Sequence, residues 1–314
     1  MGSDLQKISL VVPCYNEEES IPLFLERALA VAASMPQVSF EIIFIDDGST
    51  DATLGVLRGL PARHPEVRYL SFSRNFGKEA ALLAGLEAST GDFVAVIDAD
   101  LQHPPELLSE MYKGIVEEGF DCVATRRVSR AGEPKIRSFF SRRFYRIVNK
   151  MSETEMVDGA TDYRLMTRQM VDAVLSLKEN NRFSKGLFSW VGFSTKWIPF
   201  ENVPRAAGET KWSFWKLFLY SLDGIVGFSV KPLAIASLLG IFFFLLAILG
   251  AGFIVVRWLI SGDPVQGWAS TVCIILFVSG TQLFCTGILG QYMAKTYLEA
   301  KGRPSYIIKE EGKS

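Results

Sequence analysis

The stretch FVAVIDADLQHPP, residues 93–105, decides the fold because an apolar strand in it runs directly into two carboxylates. Residues 93–97 are all apolar and mostly β-branched or aromatic, which is typical of a strand buried on both faces of a parallel sheet. Asp98 and Asp100 follow, and two prolines then end the strand and favour the start of a helix. The stretch therefore predicts an α/β sheet with polar residues at the carboxyl end of this strand.

The two aspartates have the D-x-D spacing of a hard oxygen site, which suits Mg²⁺ or Mn²⁺ carrying substrate phosphates. A solvated acidic turn would show the same short pattern, so the pair by itself leaves both interpretations open. Ligands of open α/β sheets collect outside the carboxyl ends of the strands. Further polar residues at that edge would favour the cation site.

Four other apolar runs, at residues 8–12, 40–45, 67–72 and 121–125, alternate with helical patterns around this strand. Such alternation predicts a mainly parallel sheet wrapped in helices. The strand ends place a set of polar residues along one edge: Asn16, Asp46, Asp47, Arg74, Asp98, Asp100 and Arg126. Neither G-x-G-x-x-G nor the G-x-x-x-x-G-K-S/T motif occurs, which disfavours a dinucleotide-binding Rossmann enzyme and a P-loop NTPase.

The composition indicates a membrane segment rather than a partner of opposite bulk charge. The 314 residues carry a net charge of −1, which favours neither nucleic acid nor another polyanion as a partner. Residues 232–256 and 265–294 contain no charged side chain, and each run exceeds the roughly 20 residues that cross a bilayer as a helix. We predict two transmembrane helices, over about 232–257 and 266–294.

Flanking charges predict the orientation of these spans. Basic residues precede the first span and follow the second: Lys211, Lys216, Lys231, Lys295, Lys301 and Arg303. The positive-inside rule therefore places both termini in the cytoplasm. The N-terminus shows no signal-peptide pattern, and the polar residues 309–314 are predicted to be a disordered tail.

Two segments between the sheet and the spans are predicted to lie at the membrane surface. Residues 126–146 carry eight Lys and Arg side chains interleaved with aromatic residues, as expected for contact with anionic lipid headgroups or phosphates. A solvated basic helix face is the alternative. Residues 212–228 are largely apolar but broken by Lys216 and Asp223, which indicates interfacial amphipathic helices.

The motifs VVPCYNEE (11–18), DDGSTD (46–51) and DADLQHP (98–104), in this order, resemble family 2 glycosyltransferases of the GT-A fold. DYRLM at 162–166, R-x-x-G-x-T-K at 205–211 and the two apolar runs narrow this resemblance. The chain looks like a polyprenyl-phosphate glycosyltransferase, similar to the bacterial GtrB type and to dolichol-phosphate mannose synthases. Thr210 stands where many relatives carry Ser, which keeps the hydroxyl.

The resemblance covers almost the whole chain and implies its domain organisation. A cytoplasmic GT-A catalytic domain would occupy residues 1–200. A phosphate-binding loop with interfacial helices would occupy 201–230. The two spans would lie within 231–298 and a cytoplasmic tail would follow at 299–314.

The resemblance also implies a role for each motif residue. Nucleotide-sugar binding is implied for Pro13, Tyr15, Glu17, Asp47 and Asp98. Asp98 and Asp100 would bind the Mg²⁺ or Mn²⁺ that bridges the donor diphosphate, with Gln102 completing the shell. Asp162 and Asp100 are the implied catalytic carboxylates. Binding of the lipid phosphate or the diphosphate is implied for Arg126, Arg137, Arg164, Arg205 and Lys211.

Several of these residues have simpler alternatives. Asp46 or Asp47 could cap the next helix, and Gln102 could be a turn residue. Asp162 could be a structural ion-pair partner of Arg164. His64 and His103 have no partner at ligand spacing and are predicted to be surface or turn residues.

The chemistry of the acceptor bears directly on the role of Asp162. A lipid phosphate has its second pKa near 6, so it holds little proton to remove at neutral pH. A carboxylate beside a dianion is also repulsive unless a cation intervenes. Asp162 is therefore predicted to position Arg164 or the acceptor as much as to act as a base.

The implied reaction is the inverting transfer of one sugar, with UDP-glucose as the first-choice donor, to a polyprenyl phosphate such as undecaprenyl phosphate. It would take place at the cytoplasmic face of the bacterial plasma membrane, as part of cell-envelope glycosylation. Small residues in the spans favour a homo-oligomer.

Two other functions are weighed against this one. A processive polysaccharide synthase would need more spans and a Q-x-x-R-W element, which the sequence lacks. A non-catalytic, nucleotide-sugar-sensing membrane protein or transporter is disfavoured because both spans lack ionisable residues.

Overall fold

The structure is a computed structural model that describes residues 5–128, 157, 159–180, 182–200, 231–261 and 267–313. It divides into two compact units, Met1–Ser221 together with Arg303–Ser314, and Leu222–Gly302. The first unit is an α/β sheet and the second a pair of long helices.

The described strands form one eight-stranded sheet in the order β7-β5-β6-β4-β1-β2-β3-β8. Their bounds are β1 Gln6–Cys14, β2 Val38–Asp46, β3 Val67–Phe72, β4 Phe93–Val96, β5 Cys122–Arg127, β6 Ala160–Thr167, β7 Thr195–Phe200 and β8 Ile308–Gly312. Strands β1, β2, β3 and β4 pair in parallel, whereas β6 and β8 run antiparallel to their neighbours. The predicted mainly parallel sheet is confirmed.

Helices cover both faces of the sheet because successive strand side chains point to opposite sides. The helices of this unit are α1 Ser20–Ser34, α2 Thr53–Arg58, α3 Lys78–Ala88, α4 Leu108–Val116, α5 Arg168–Ser176 and α6 Ser184–Trp190, with a 3₁₀ turn at Pro105–Leu107. In β1, Leu10 packs in one apolar cluster with α1 and α4, and Val11 packs in the other with α3 and α5. Apolar side chains on both faces of β1 explain its continuous apolar run.

The antiparallel β6 positions part of the functional site. Its residue Arg164 pairs with Val96 of β4, and the two strands run in opposite directions. Continuing that register by two residues brings Asp162 opposite Asp98. The sequence patterns did not predict β6 or β7, although the DYRLM motif forms most of β6.

The predicted disordered tail at 309–314 is wrong for the described residues, because Ile308–Gly312 forms β8. The Glu310 carboxylate accepts hydrogen bonds from Arg58 at 2.8 and 2.6 Å and from the Tyr69 hydroxyl at 2.6 Å. Just before the strand, Tyr306 stacks on Phe72 with ring centroids 5.0 Å apart. An edge strand can keep charged side chains in water, so its polar composition resembles that of a tail.

The second unit consists of α7, Lys231–Ser261, and α8, Trp268–Ala300. The two helices pack through Phe243 and Phe277, whose ring centroids lie 5.4 Å apart. By length and composition, Lys231–Gly250 is the one segment among the described helices suited to cross a membrane, with a mean hydropathy of 2.7. The second predicted span lies within α8, and its crossing of a membrane stays a prediction.

Candidate active site

The site lies where the loops after β1, β2, β4 and β5 meet the first residues of β6. Because β6 runs antiparallel, its amino end lies at the same edge as the carboxyl ends of its neighbours. Asp46, Asp98, Asp100 and Asp162 are therefore brought to one edge of the sheet, as the strand-end pattern predicts for the first three.

The loops after β1 and β2 support each other. Asn16 adopts a positive φ of 56° and its side chain accepts a hydrogen bond from the backbone N–H of Thr50 at 2.8 Å. The backbone N–H of Glu17 donates to the Thr53 hydroxyl at 2.9 Å. Tyr15, 39% exposed, lies in the same loop. Pro13, Tyr15 and Glu17 thus share one rim, and nucleotide binding by them stays a prediction.

Asp46 and Asp47 fix the loops after β2 and β3. Asp46 accepts hydrogen bonds from the backbone N–H of Ser49 at 3.0 Å and from the Ser71 hydroxyl at 2.7 Å. Asp47 accepts from the backbone N–H groups of Phe76 and Gly77 at 2.6 and 2.9 Å. Burial raises the pKa of Asp47, and these two N–H donors oppose the rise. Neither carboxylate caps α2, which begins after Ala52, and the nucleotide role of Asp47 stays a prediction.

The D-x-D pair fits a divalent cation that receives its other ligands from a substrate. Asp98 and Asp100 supply carboxylate oxygens, and Asp100 also accepts the backbone N–H of Gln102 at 3.1 Å. Within the described ranges, no cluster of three or more His, Cys, Asp or Glu side chains could hold a metal alone. Mg²⁺ commonly binds through one or two carboxylates plus substrate phosphates, so two aspartates are sufficient. Coordination by Gln102 stays a prediction.

Lys78, at the start of α3, joins the D-x-D pair to Asp162 and was missed by the sequence analysis. Its ammonium lies 2.7 Å from Oδ1 of Asp98 and 2.7 Å from Oδ2 of Asp162. Desolvation by the surrounding protein would by itself lower the pKa of Lys78, but the two carboxylates raise this pKa above its ordinary value. A lysine after a tight Phe-Gly turn carries no motif of its own, so only the fold reveals this contact.

A second lysine, Lys185 of α6, lies beside the other carboxylate oxygen of Asp162, with its ammonium 4.0 Å from Oδ1. Burial by itself would raise the pKa of the Asp162 carboxyl. The Lys78 and Lys185 ammonium groups outweigh burial and hold this pKa far below its ordinary value. Asp162 is therefore an ionised carboxylate between two cations.

The predicted partner of Asp162, Arg164, does not contact its carboxylate. Arg164 is only 3% exposed, and its guanidinium donates to the backbone carbonyls of Thr161 and Asp162 at 2.9 and 3.3 Å. The guanidinium carbon also lies 4.0 Å from the centre of the Phe188 ring. Burial lowers its pKa from the ordinary arginine value. These contacts favour a structural role, and phosphate binding by Arg164 stays a prediction.

The remaining predicted binding residues divide by location. Arg126 is exposed at the end of β5, at the edge of the sheet that carries the site. Arg137, Arg205 and Lys211 lie outside the described residues, as do most of the basic run at 126–146 and the interfacial segment at 201–230.

His103 lies in a bend, which agrees with the turn alternative predicted for it, but it is not at the surface. It is 7% exposed and packs between Tyr163 and Phe200, with ring centroids 5.9 and 5.2 Å away. Neither ring nitrogen has a hydrogen-bond partner in the described structure. Burial lowers the pKa of His103, which keeps the ring neutral at pH 7.

This sheet, with acidic and basic side chains at one carboxyl edge, defines an α/β enzyme with a site suited to phosphorylated substrates. The family model of glycosyl transferase family 2 matches residues 9–175, and the chain belongs to that family. Its mostly parallel sheet is the GT-A α/β fold. The resemblance drawn from the motifs is confirmed.

Individual relatives match nearly the full chain. CsbB, a glycosyltransferase-class protein of Bacillus subtilis (strain 168), is 46% identical over 96% of this chain and 91% of its own. The bactoprenol glucosyl transferase of Shigella phage SfV is 40% identical over 97% of this chain and 99% of its own. Among solved structures, mannosyl-3-phosphoglycerate synthase from Rubrobacter xylanophilus is 19% identical with a TM-score of 0.48, over 69% of this chain and 71% of that one.

Proposed function

We propose that this glycosyltransferase moves a single sugar from a nucleotide sugar to a polyprenyl phosphate, with inversion at the sugar carbon. UDP-glucose is the proposed donor and undecaprenyl phosphate the proposed acceptor. Relatives named bactoprenol glucosyl transferase, about 40% identical over nearly the whole chain, support this choice.

The observation that carries the proposal is the antiparallel β6, which brings Asp162 to the same lysine as Asp98. One side of the site then has two carboxylates for a donor diphosphate with its cation, namely Asp98 and Asp100. The other side has a carboxylate between two lysines, where a second anionic substrate can approach. Two adjacent charged sites match a reaction between two phosphorylated substrates.

Mg²⁺ or Mn²⁺ would be held by Asp98 and Asp100, with Gln102 completing its coordination shell, and would neutralise charge on the departing nucleoside diphosphate. Binding and positioning of the substrates would fall to the protein side chains. The loops after β1 and β2 would hold the nucleotide through Pro13, Tyr15, Glu17 and Asp47. The acceptor is already largely ionised at neutral pH, so positioning it matters more than deprotonating it.

We further propose that α7 and α8 both cross the membrane and that the catalytic unit and both termini lie in the cytoplasm. An apolar Lys231–Gly250 supports the first crossing. Met1–Ser221 and Arg303–Ser314 belong to the same compact unit, and β8 pairs with β3. An even number of membrane crossings returns the chain to the side on which it started, as this shared unit requires. Glycines in both helices support a homo-oligomer in the bilayer.

The proposed function is tested with the purified full chain in detergent, undecaprenyl phosphate and a panel of labelled nucleotide sugars. We expect one labelled lipid carrying a single sugar, strongest with UDP-glucose, and loss of the product after EDTA treatment. NMR of the product sugar establishes whether the anomeric configuration is inverted.

Asp98→Asn and Asp100→Asn serve as negative controls, since each removes one carboxylate of the cation site. A labelled product that grows in length would instead identify a processive synthase. If no nucleotide sugar labels any lipid phosphate, the proposed function is wrong.

A further inference from the structure

We propose that Lys78 and Lys185, held in place by Asp162, form the binding site for the phosphate of the acceptor. In this arrangement Asp162 is a positioning residue for two ammonium groups rather than the acceptor's base. The inference rests on the proposed function and deepens it, because it names the residues that receive the second substrate.

The geometry places one cation at each oxygen of one carboxylate. Lys78 lies 2.7 Å from Oδ2 of Asp162, and Lys185 lies 4.0 Å from Oδ1. Lys78 also contacts Asp98, so with a divalent cation bound by Asp98 and Asp100 the two lysines, the cation and the three aspartates would carry a net charge of 2 + 2 − 3 = +1. A site of this charge attracts a phosphate, whereas an isolated Asp162 would repel one.

The ammonium group of Lys185 has donors available for a ligand, whereas that of Lys78 already contacts Asp98 and Asp162. At 4.0 Å, Lys185 is beyond hydrogen-bond length from Asp162, and no described acceptor takes its N–H groups. The side chains of Lys78 and Lys185 are 43% and 30% exposed, so a phosphate can reach both. Lysine ammonium groups bind phosphate oxygens through short, charge-assisted hydrogen bonds.

A separate contact fixes the two helices that carry these lysines. Glu79, next to Lys78, accepts hydrogen bonds from the hydroxyl of Ser184 and from its backbone N–H, the latter at 2.9 Å. Ser184 is adjacent to Lys185 and 4% exposed. The beginning of α3 is thereby joined to the beginning of α6, and both lysines are positioned on the same side of the site.

The charges favour the acceptor over the donor as the ligand of this site. The donor diphosphate has its own counter-charge at Asp98 and Asp100 once a divalent cation is bound. The acceptor phosphate has to approach Asp162 as a dianion, and a carboxylate permits that only with a cation between them. Lys78 and Lys185 supply these cations.

The test compares Lys185→Gln and Lys185→Arg with the wild-type full chain, using the lipid phosphate and the nucleotide sugar as varied substrates. Losing one charge-assisted hydrogen bond to phosphate is expected to raise the acceptor KM by about 10- to 100-fold. The donor KM should change less than about twofold. Lys185→Arg keeps the charge and should recover most of the acceptor affinity.

Lys196→Gln is the matched control, because Lys196 also pairs with a carboxylate, Glu118, but at the start of β7 on the opposite edge of the sheet. It should leave both KM values unchanged. Asp162→Asn tests the positioning role: the acceptor KM should rise as in Lys185→Gln, without a matching change in donor KM.

Inorganic phosphate separates a general phosphate site from one that also needs the lipid. It should compete with the acceptor in the wild type and inhibit Lys185→Gln less strongly. A rise in donor KM with an unchanged acceptor KM would overturn the inference and assign the lysines to the diphosphate. If the wild type glycosylates no polyprenyl phosphate, the proposed function fails instead, which is a distinct result.

Discussion

At the scale of single residues, the site is organised by charges that neutralise one another across different strands and helices. Lys78 binds Asp98 and Asp162 at the same time, so the two halves of the site share one cation. An ionised Asp162 between lysines is a poor proton acceptor. This arrangement predicts a reaction whose pH dependence comes from the substrate.

We therefore expect the wild type and Asp162→Asn to show the same pH dependence of acceptor kcat/KM. The lysines hold the pKa of Asp162 below its ordinary value of 3.8, so the carboxylate stays ionised from alkaline pH down through pH 4. The only acidic limb should lie near pH 6, where the acceptor phosphate itself gains a proton. Steady-state kinetics between about pH 5 and 9 measure it. A limb present in the wild type and absent from Asp162→Asn would restore Asp162 as the base.

A second residue-scale prediction concerns His103, whose buried ring nitrogens have no described partner. Leucine has a similar volume and no polar atom, so His103→Leu removes a desolvation cost while keeping most of the packing. We expect the free energy of unfolding to rise by about 1 kcal/mol. Thermal unfolding followed by circular dichroism measures the change. A clear loss of stability would show that the ring is bonded to a group such as a buried water.

Sequence reasoning identified Asp46, Asp98 and Asp100 because each lies in a contiguous motif at a strand end, whereas Asp162 was identified only through the family resemblance of its DYRLM motif. Lys78 and Lys185 escaped it because they are distant in the chain, and their meeting depends on the reversed direction of β6. His103 escaped it for another reason. It was predicted to be a surface or turn residue because it has no partner at ligand spacing, whereas contacts with Tyr163 and Phe200 from distant strands bury it.

At the scale of elements, the turn after β2 packs closely against the backbone of the loop after β3. Gly48 has a φ of +64°, and a Cβ there would lie 2.4 Å from the backbone carbonyl carbon of Arg74. The same turn carries Asp46, which accepts a hydrogen bond from Ser71 of β3, and Asp47, which accepts one from the loop after β3. The two loops can approach each other this closely because residue 48 has no Cβ.

We expect Gly48→Ala to destabilise the protein by about 2–4 kcal/mol, because the side chain would meet backbone and favour a different φ. Gly55→Ala is the matched control, since nothing lies within 4 Å of a Cβ in that position of α2. Alanine should stabilise that helix by up to about 1 kcal/mol. Midpoints of urea unfolding compare the two variants. Equal stability of both would mean that the β2 turn can rearrange freely.

The central strands could be predicted because each is a continuous apolar run between turn residues. Strands β1, β2, β3 and β5 match the predicted runs to within a few residues at each end. Strands β6 and β7 mix polar and apolar residues because their amino ends carry site residues or lie near an edge. Strand β8 has mostly charged side chains and is stabilised by pairing with β3, which no local pattern reveals.

At the scale of the whole molecule, one edge strand of the catalytic sheet comes from residues that follow the long helices. The chain completes β1 to β7, continues into α7 and α8, and supplies β8 only at its end. Bonds from Arg58 and Tyr69 lower the pKa of Glu310 to about 2. Its contribution to stability is therefore present above about pH 4.5 and is lost as the pH falls towards 2.

We expect Tyr306→Ala to loosen β8 and destabilise the catalytic unit by about 2 kcal/mol, because the ring stacks on the buried Phe72. The hydroxyl of Tyr306 also bonds Glu87 of α3, so the substitution removes a link between the C-terminal segment and the helix that carries Lys78. Hydrogen exchange of the full chain in detergent should show faster exchange in β8 and β3, with α1 and β1 unchanged. Tyr297→Ala, an exposed tyrosine of α8, is the matched control and should leave that exchange unaltered. Slow exchange of β8 in Tyr306→Ala would mean that the ion pair of Glu310 with Arg58 anchors the strand without the aromatic stack.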